Sequence, residues 1–64
     1  MTIGDAQTKV LIVEPNLSNR MTLLTLLQQY SIESDIAIDK EEALGCVIQR
    51  LATYDTTYKL IMVG

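Results

Sequence analysis

The chain has 64 residues, with five Lys or Arg against eight Asp or Glu, no histidine and a formal net charge of -3. A chain this short buries only about 60% of the surface that its unfolded form exposes, so it holds one small domain or part of one, with marginal stability. Its cations, Lys9, Arg20, Lys40, Arg50 and Lys59, are dispersed, which excludes the basic stripe that nucleic-acid binding needs, and no apolar stretch reaches the ~20 residues of a membrane helix.

Nearly half of the residues are apolar and the only aromatics are Tyr30, Tyr54 and Tyr58, a globular composition built on aliphatic packing. Cys46 is the single cysteine, so no internal disulfide forms and nothing points to an oxidising compartment. Its neighbours Leu44, Gly45, Val47 and Ile48 offer no cation to activate the thiol, which reads as a small packing residue. Residues 1 to 9 lack the basic-then-apolar pattern of a secretory signal, and the expected location is cytoplasmic.

Residues 1 to 8 mix Gly, Asp, Gln and Thr without periodicity and read as a flexible leader, with the domain over residues 9 to 64. Val10-Leu11-Ile12-Val13 is a continuous apolar run, as expected of a parallel strand covered on both faces. Pro15 ends it, and Asn16 is placed to cap a helix running to about Tyr30. In that helix Leu17, Met21, Leu24 and Leu27, widened by Leu23, Leu26 and Tyr30, predict one broad buried face.

After Ser31, residues Ile32, Ser34, Ile36 and Ile38 alternate with Glu33, Asp35 and Ala37. Period two predicts an edge strand whose isoleucine face is the drier one. Asp39 and Glu42 stand as a capping box, and Ala43, Leu44, Val47, Ile48 and Leu51 then fall at helical spacing. Asp39, Glu41 and Glu42, interrupted by Lys40, suit a helix dipole better than a metal. Residues 52 to 57 are turn-rich, and Leu60-Ile61-Met62-Val63 gives the third strand. The prediction is a βαβαβ unit of three parallel strands and two helices, half of an open α/β sheet whose third strand has no encoded neighbour on its far side.

In open α/β sheets the functional crevice lies beyond the carboxyl ends of the strands, which directs attention to Glu14-Pro15-Asn16, Asp39 and Gly64. The segment after the first strand has no glycine, so neither a dinucleotide turn nor a phosphate loop is encoded. Without histidine, Ser18, Ser31 and Ser34 have no imidazole base to activate them. Glu14 is the only carboxylate well placed for a hard cation, and one carboxylate holds Mg²⁺ weakly.

Lys9 to Asn16 with Asn19-Arg20, then Ile32 to Ala37 with Glu41-Glu42-Ala43-Leu44, then Tyr58 to Gly64, resemble in order and spacing the first half of a two-component response-regulator receiver domain. The style is that of receivers attached to hybrid sensor kinases. The resemblance implies half of a flavodoxin-like fold and a place in phosphorelay signalling. It also implies that Pro15 stands where the direct Mg²⁺ ligand belongs and Gly64 where the phosphate-accepting aspartate belongs. Glu14 remains as a vestigial metal ligand, with the plain alternative of a solvated strand-end acid, and Asn16 as a site-adjacent residue that is equally an N-cap.

The expectation is a phosphorylation-incompetent receiver-like module, not an enzyme, acting if at all by protein binding. The alternatives are a non-functional piece of a longer receiver or hybrid histidine kinase, or an interaction module that dimerises through the third strand. No cofactor is expected, and the expected partner is another protein or the missing half of the receiver.

Overall fold

The apolar run Val10–Val13 forms strand β1, and all four of its residues are buried. A strand dry on both faces needs a layer on each face and a neighbour on each edge, and the chain supplies all four. The computed structural model describes Gly4 and residues 7 to 64. Beyond β1 it runs through helix α1 (Leu17–Gln29), strand β2 (Ser34–Ala37), helix α2 (Lys40–Tyr54) and strand β3 (Leu60–Val63). The sheet order is β2-β1-β3, with both pairings parallel. Val10 lies opposite Ser34 and Leu60, and Val13 opposite Ala37 and Val63. The architecture is the α/β arrangement that the strand and helix alternation predicts.

The two crossovers step in opposite directions along the sheet, from β1 out to β2 and then back across β1 to β3. Right-handed connections therefore set α1 on one face and α2 on the other. On the α2 face Leu11, Val13, Ala37, Cys46 and Tyr58 form the buried cluster, with Ala43 and Val47 packed against it. Cys46 is a packing residue there. Burial, then the charges of Asp35 and Glu42, push its thiol up from the ordinary value, away from thiolate chemistry.

Both helix starts follow the capping chemistry in the sequence. The Asn19 N–H donates to Asn16 Oδ1 at 3.0 Å and the Glu42 N–H to Asp39 Oδ1 at 2.8 Å. Glu42 completes a variant box by accepting from the Ile38 N–H at 3.3 Å, one residue before the cap. Past the carboxyl ends of the helices, Ser31 and Asp55 take the left-handed conformation, with φ of 58° and 55°. Helix α2 reaches Tyr54, further than the turn-rich composition of residues 52 to 57 suggests.

Three expected faces are corrected. On β2 the buried residues are Asp35 and Ala37, whereas Ile36 and Ile38 are exposed. The inward side is fixed by what α2 and Tyr58 place there, and Ala37 fits under α2 where isoleucine would crowd it. On α2 it is Cys46 and Arg50 that are buried, while Leu44, Ile48 and Leu51 face outward. Helix α1 buries no residue fully, and only Arg20, Leu23, Leu24 and Leu27 are half-buried. Its apolar residues surround the axis, and a sheet of three short strands covers only one side of it. Of the predicted leader, Thr8 is buried and the Gly4 N–H donates to Asp35 Oδ1 at 2.8 Å; residues 1 to 3, 5 and 6 lie outside the described residues.

The corrected faces give a paired prediction for urea unfolding. Leu11→Ala removes about 2–5 kcal/mol, enough to unfold a marginal domain, whereas Ile36→Thr on the open face costs less than about 1 kcal/mol. Equal losses would contradict the assignment of faces.

Candidate functional site

Parallel pairing brings the carboxyl ends of all three strands to one edge. The ladder continues one residue beyond the strands: the Glu14 N–H donates to the Ala37 carbonyl at 3.0 Å and the Gly64 N–H to the Val13 carbonyl at 2.9 Å. Glu14 and Gly64 thereby become side-by-side neighbours across 50 positions of sequence, and helix α1 begins directly after Glu14-Pro15-Asn16. This crevice is where the sequence directs the search.

Glu14 is not the solvated acid of the sequence reading; it is only 5% exposed. Its carboxylate oxygen Oε1 accepts from the Asn16 backbone N–H at 3.2 Å and from the Asn19 side-chain amide at 3.3 Å. The Arg20 guanidinium Nη1 donates to the Glu14 carbonyl at 3.0 Å, locking the backbone at the same point. The other oxygen, Oε2, lies over Gly64, and a Cβ built on Gly64 would fall directly on it. Gly64 has no positive φ, so what its missing side chain provides is space rather than backbone freedom. Pro15 is exposed and adds no polar atom. Asn16 acts as the cap of α1 and also supplies its backbone N–H to Glu14.

The Mg²⁺ set implied by the receiver resemblance does not fit these residues. Glu14 Oε1 is already taken by two donors, position 15 has no side-chain ligand, and position 64 has no side chain at all. Among the described residues, no group of three or more His, Cys, Asp or Glu could hold a metal ion. Asp39, the third candidate at this edge, caps α2 and does not join Glu14.

A second polar cluster, not recognised as such from sequence, lies under the opposite end of the sheet. The Tyr58 hydroxyl donates to Asp35 Oδ2 at 2.5 Å, and Asp35 Oδ1 accepts from the Gly4 N–H. The Arg50 guanidinium is fully buried, 4.7 Å from the Tyr58 ring centroid and 5.7 Å from that of Tyr54. The Tyr54 hydroxyl donates to the Gly4 carbonyl at 3.0 Å. The available signal was Arg50 among apolar helical positions and Asp35 within an alternating strand; each is hard to interpret until the other's place in the fold is known. The cluster ties the leader, β2, α2 and the approach to β3 together, a structural role.

No protein-family model matches the chain, and no curated protein or solved structure is significantly similar to it. None of the helices among the described residues is long and apolar enough to cross a membrane.

The lower cluster sets an alkaline limit on stability. Burial first, and then the hydrogen bond to the Asp35 carboxylate, raise the Tyr58 phenol well above its ordinary value of 10.0. A raised folded value leaves the contribution intact below about pH 10 and removes it as pH climbs toward the folded value, because only the unfolded chain ionises readily there. Stability therefore falls above about pH 10 in wild type. Tyr58→Phe is less stable at neutral pH and has a flatter alkaline decline, which urea titrations at a series of pH values measure; identical slopes would refute the coupling.

Proposed function

We propose that the chain is a receiver-like signalling module without phosphoryl-acceptor chemistry, acting in the cytoplasm by binding another protein. The observation that carries this reading is the Glu14 and Gly64 pair. At the carboxyl edge of the sheet Glu14 is already hydrogen-bonded and faces a residue with no side chain, and Asp39 is held as the cap of α2. Phosphoryl transfer to a protein requires an acceptor oxygen with a metal or cation to offset the charge that develops. The resemblance to receivers in order and spacing supplies the signalling context, and the parallel β2-β1-β3 order is compatible with it. Incubation with acetyl phosphate and Mg²⁺ followed by intact-mass measurement is expected to show no phosphoryl adduct. A stoichiometric, hydroxylamine-sensitive adduct would overturn the reading.

The surface that supports protein binding is the uncovered side of β3. Leu60, Ile61 and Val63 are exposed on this strand, and its outer edge has no hydrogen-bonded neighbour among the described residues. Helix α2 packs on β2 and β1 but not on β3. Helical phase and the right-handed crossover turn the outward-facing residues Leu44, Ile48 and Leu51 toward the space above β3.

Pairing of two copies through β3 leaves that space unfilled. Strands lie about 4.8 Å apart, so the two α2 axes would stand roughly 19 Å from each other, twice the separation of packed helices. A partner element carrying a strand and a helix covers both surfaces, which favours completion by further receiver-like structure over a homodimer. Sedimentation velocity at increasing concentration is expected to show no discrete dimer; a saturable two-fold dimer would restore the dimerising module.

A further inference from the structure

We infer that β3 is a latched strand that opens from β1 as a unit while β1, β2 and the two helices stay folded, and that Tyr58 is the latch. The inference concerns control of the β3 edge and rests on the reading of that edge as the partner surface.

Local stability is lowest where buried apolar contacts are fewest. Helices α1 and α2 each pack on β1 and β2 and not on β3, so that among these elements β3 packs on β1 alone. Leu60, Ile61 and Val63 are exposed, Val63 by 76%, whereas all four residues of β1 are buried. Along its length the strand is therefore held by one parallel ladder. That ladder runs from the Lys59 N–H on the Lys9 carbonyl at 2.7 Å to the Gly64 N–H on the Val13 carbonyl at 2.9 Å.

A buried anchor stands immediately before this lightly held strand. Tyr58 is 7% exposed and belongs to the cluster on the α2 face. Its hydroxyl bonds Asp35 of β2, so the side chain reaches beneath β1 to the strand on the far side, and the Arg50 guanidinium of α2 stands 4.7 Å from its ring centroid. Only Lys59 separates Tyr58 from β3. One residue spans at most about 3.6 Å, so β3 cannot leave β1 over its full length without drawing Tyr58 out of its place. Two states with different edges follow. Closed, the chain presents the outer edge of β3; open, it withdraws that edge and bares the apolar edge of β1, so the latch sets which strand a partner meets.

The test is amide hydrogen exchange of the ¹⁵N-labelled 64-residue chain at a series of low urea concentrations. Met62 reports the middle of the β3 ladder, Glu14 the bond from β1 to β2, and Cys46 the middle of α2. After correction for intrinsic rates, Met62 in wild type is expected to exchange about tenfold faster than Glu14 and Cys46, with a rate nearly flat in urea while theirs rise. Equal rates with equal urea dependence would mean that β3 opens only with the whole domain, which overturns the inference.

The latch is tested by two tyrosine variants. Tyr58→Phe is expected to speed exchange at Met62 by about a further tenfold, because the bond to Asp35 exists only in the closed state. Tyr54→Phe removes a hydroxyl that bonds Gly4 instead, and leaves Met62 unchanged. A Met62 rate unmoved by Tyr58→Phe, or moved equally by Tyr54→Phe, overturns the latch. If Tyr58→Phe does not fold, Asp35→Asn takes its place, since it keeps an acceptor and removes the charge that strengthens the bond; Met62 is again expected to exchange faster, and an unchanged rate overturns the latch. Exchange is measured on the chain alone, so its failure leaves the reading of β3 as a partner surface standing, and a phosphoryl adduct that overturned the functional reading would leave the exchange order untouched.

Discussion

The parallel ladder on both edges of β1 is the constraint from which the rest follows. Four consecutive buried residues, Val10 to Val13, accept a neighbour on each side and a helix on each face. Once β2 and β3 are parallel to β1 and in its register, the three carboxyl ends must share one edge and the three amino ends the other. The crevice with Glu14 and Gly64 and the cluster around Asp35 and Tyr58 are the two ends of that single arrangement. One extra ladder bond, from the Gly64 N–H to the Val13 carbonyl, turns a shared edge into direct contact between residues 14 and 64.

Element identity was legible because it depends on local chemistry. An unbroken apolar run, a proline at its end, and Asn16 and Asp39 as caps located β1, α1 and α2 without reference to the remainder of the chain. Face assignment was less legible, because periodicity reveals that a strand has two unlike faces without saying which is covered. On β2 the larger isoleucines suggested one answer, while the small Ala37 beneath α2 and the hydrogen-bonded Asp35 settled the opposite one. The same holds for α2, where Ala43, Cys46 and Val47 allow close approach to the sheet and leave the larger Leu44, Ile48 and Leu51 outside.

The candidate site was legible in position and illegible in state. The carboxyl ends of the strands selected Glu14, Pro15, Asn16, Asp39 and Gly64; the structure brings Glu14, Pro15, Asn16 and Gly64 together and keeps Asp39 apart as the cap of α2. That Glu14 is buried depends on an absent side chain at position 64, together with an amide at Asn19 in the first turn of α1. No local pattern encodes such a coincidence. It changes the meaning of the crevice: a vestigial metal ligand would be an open, waiting oxygen, whereas this carboxylate is already bonded and seated.

The central claim, that Glu14 lies folded over Gly64 in the native chain, is tested most directly by nuclear Overhauser contacts in the assigned spectrum of the wild-type protein. Strong contacts from the Glu14 side-chain methylenes to the Gly64 α-protons, with slowly exchanging Asn19 side-chain amide protons, are the predicted result. A Glu14 side chain that is rotationally averaged, with no contact to Gly64, would contradict the account.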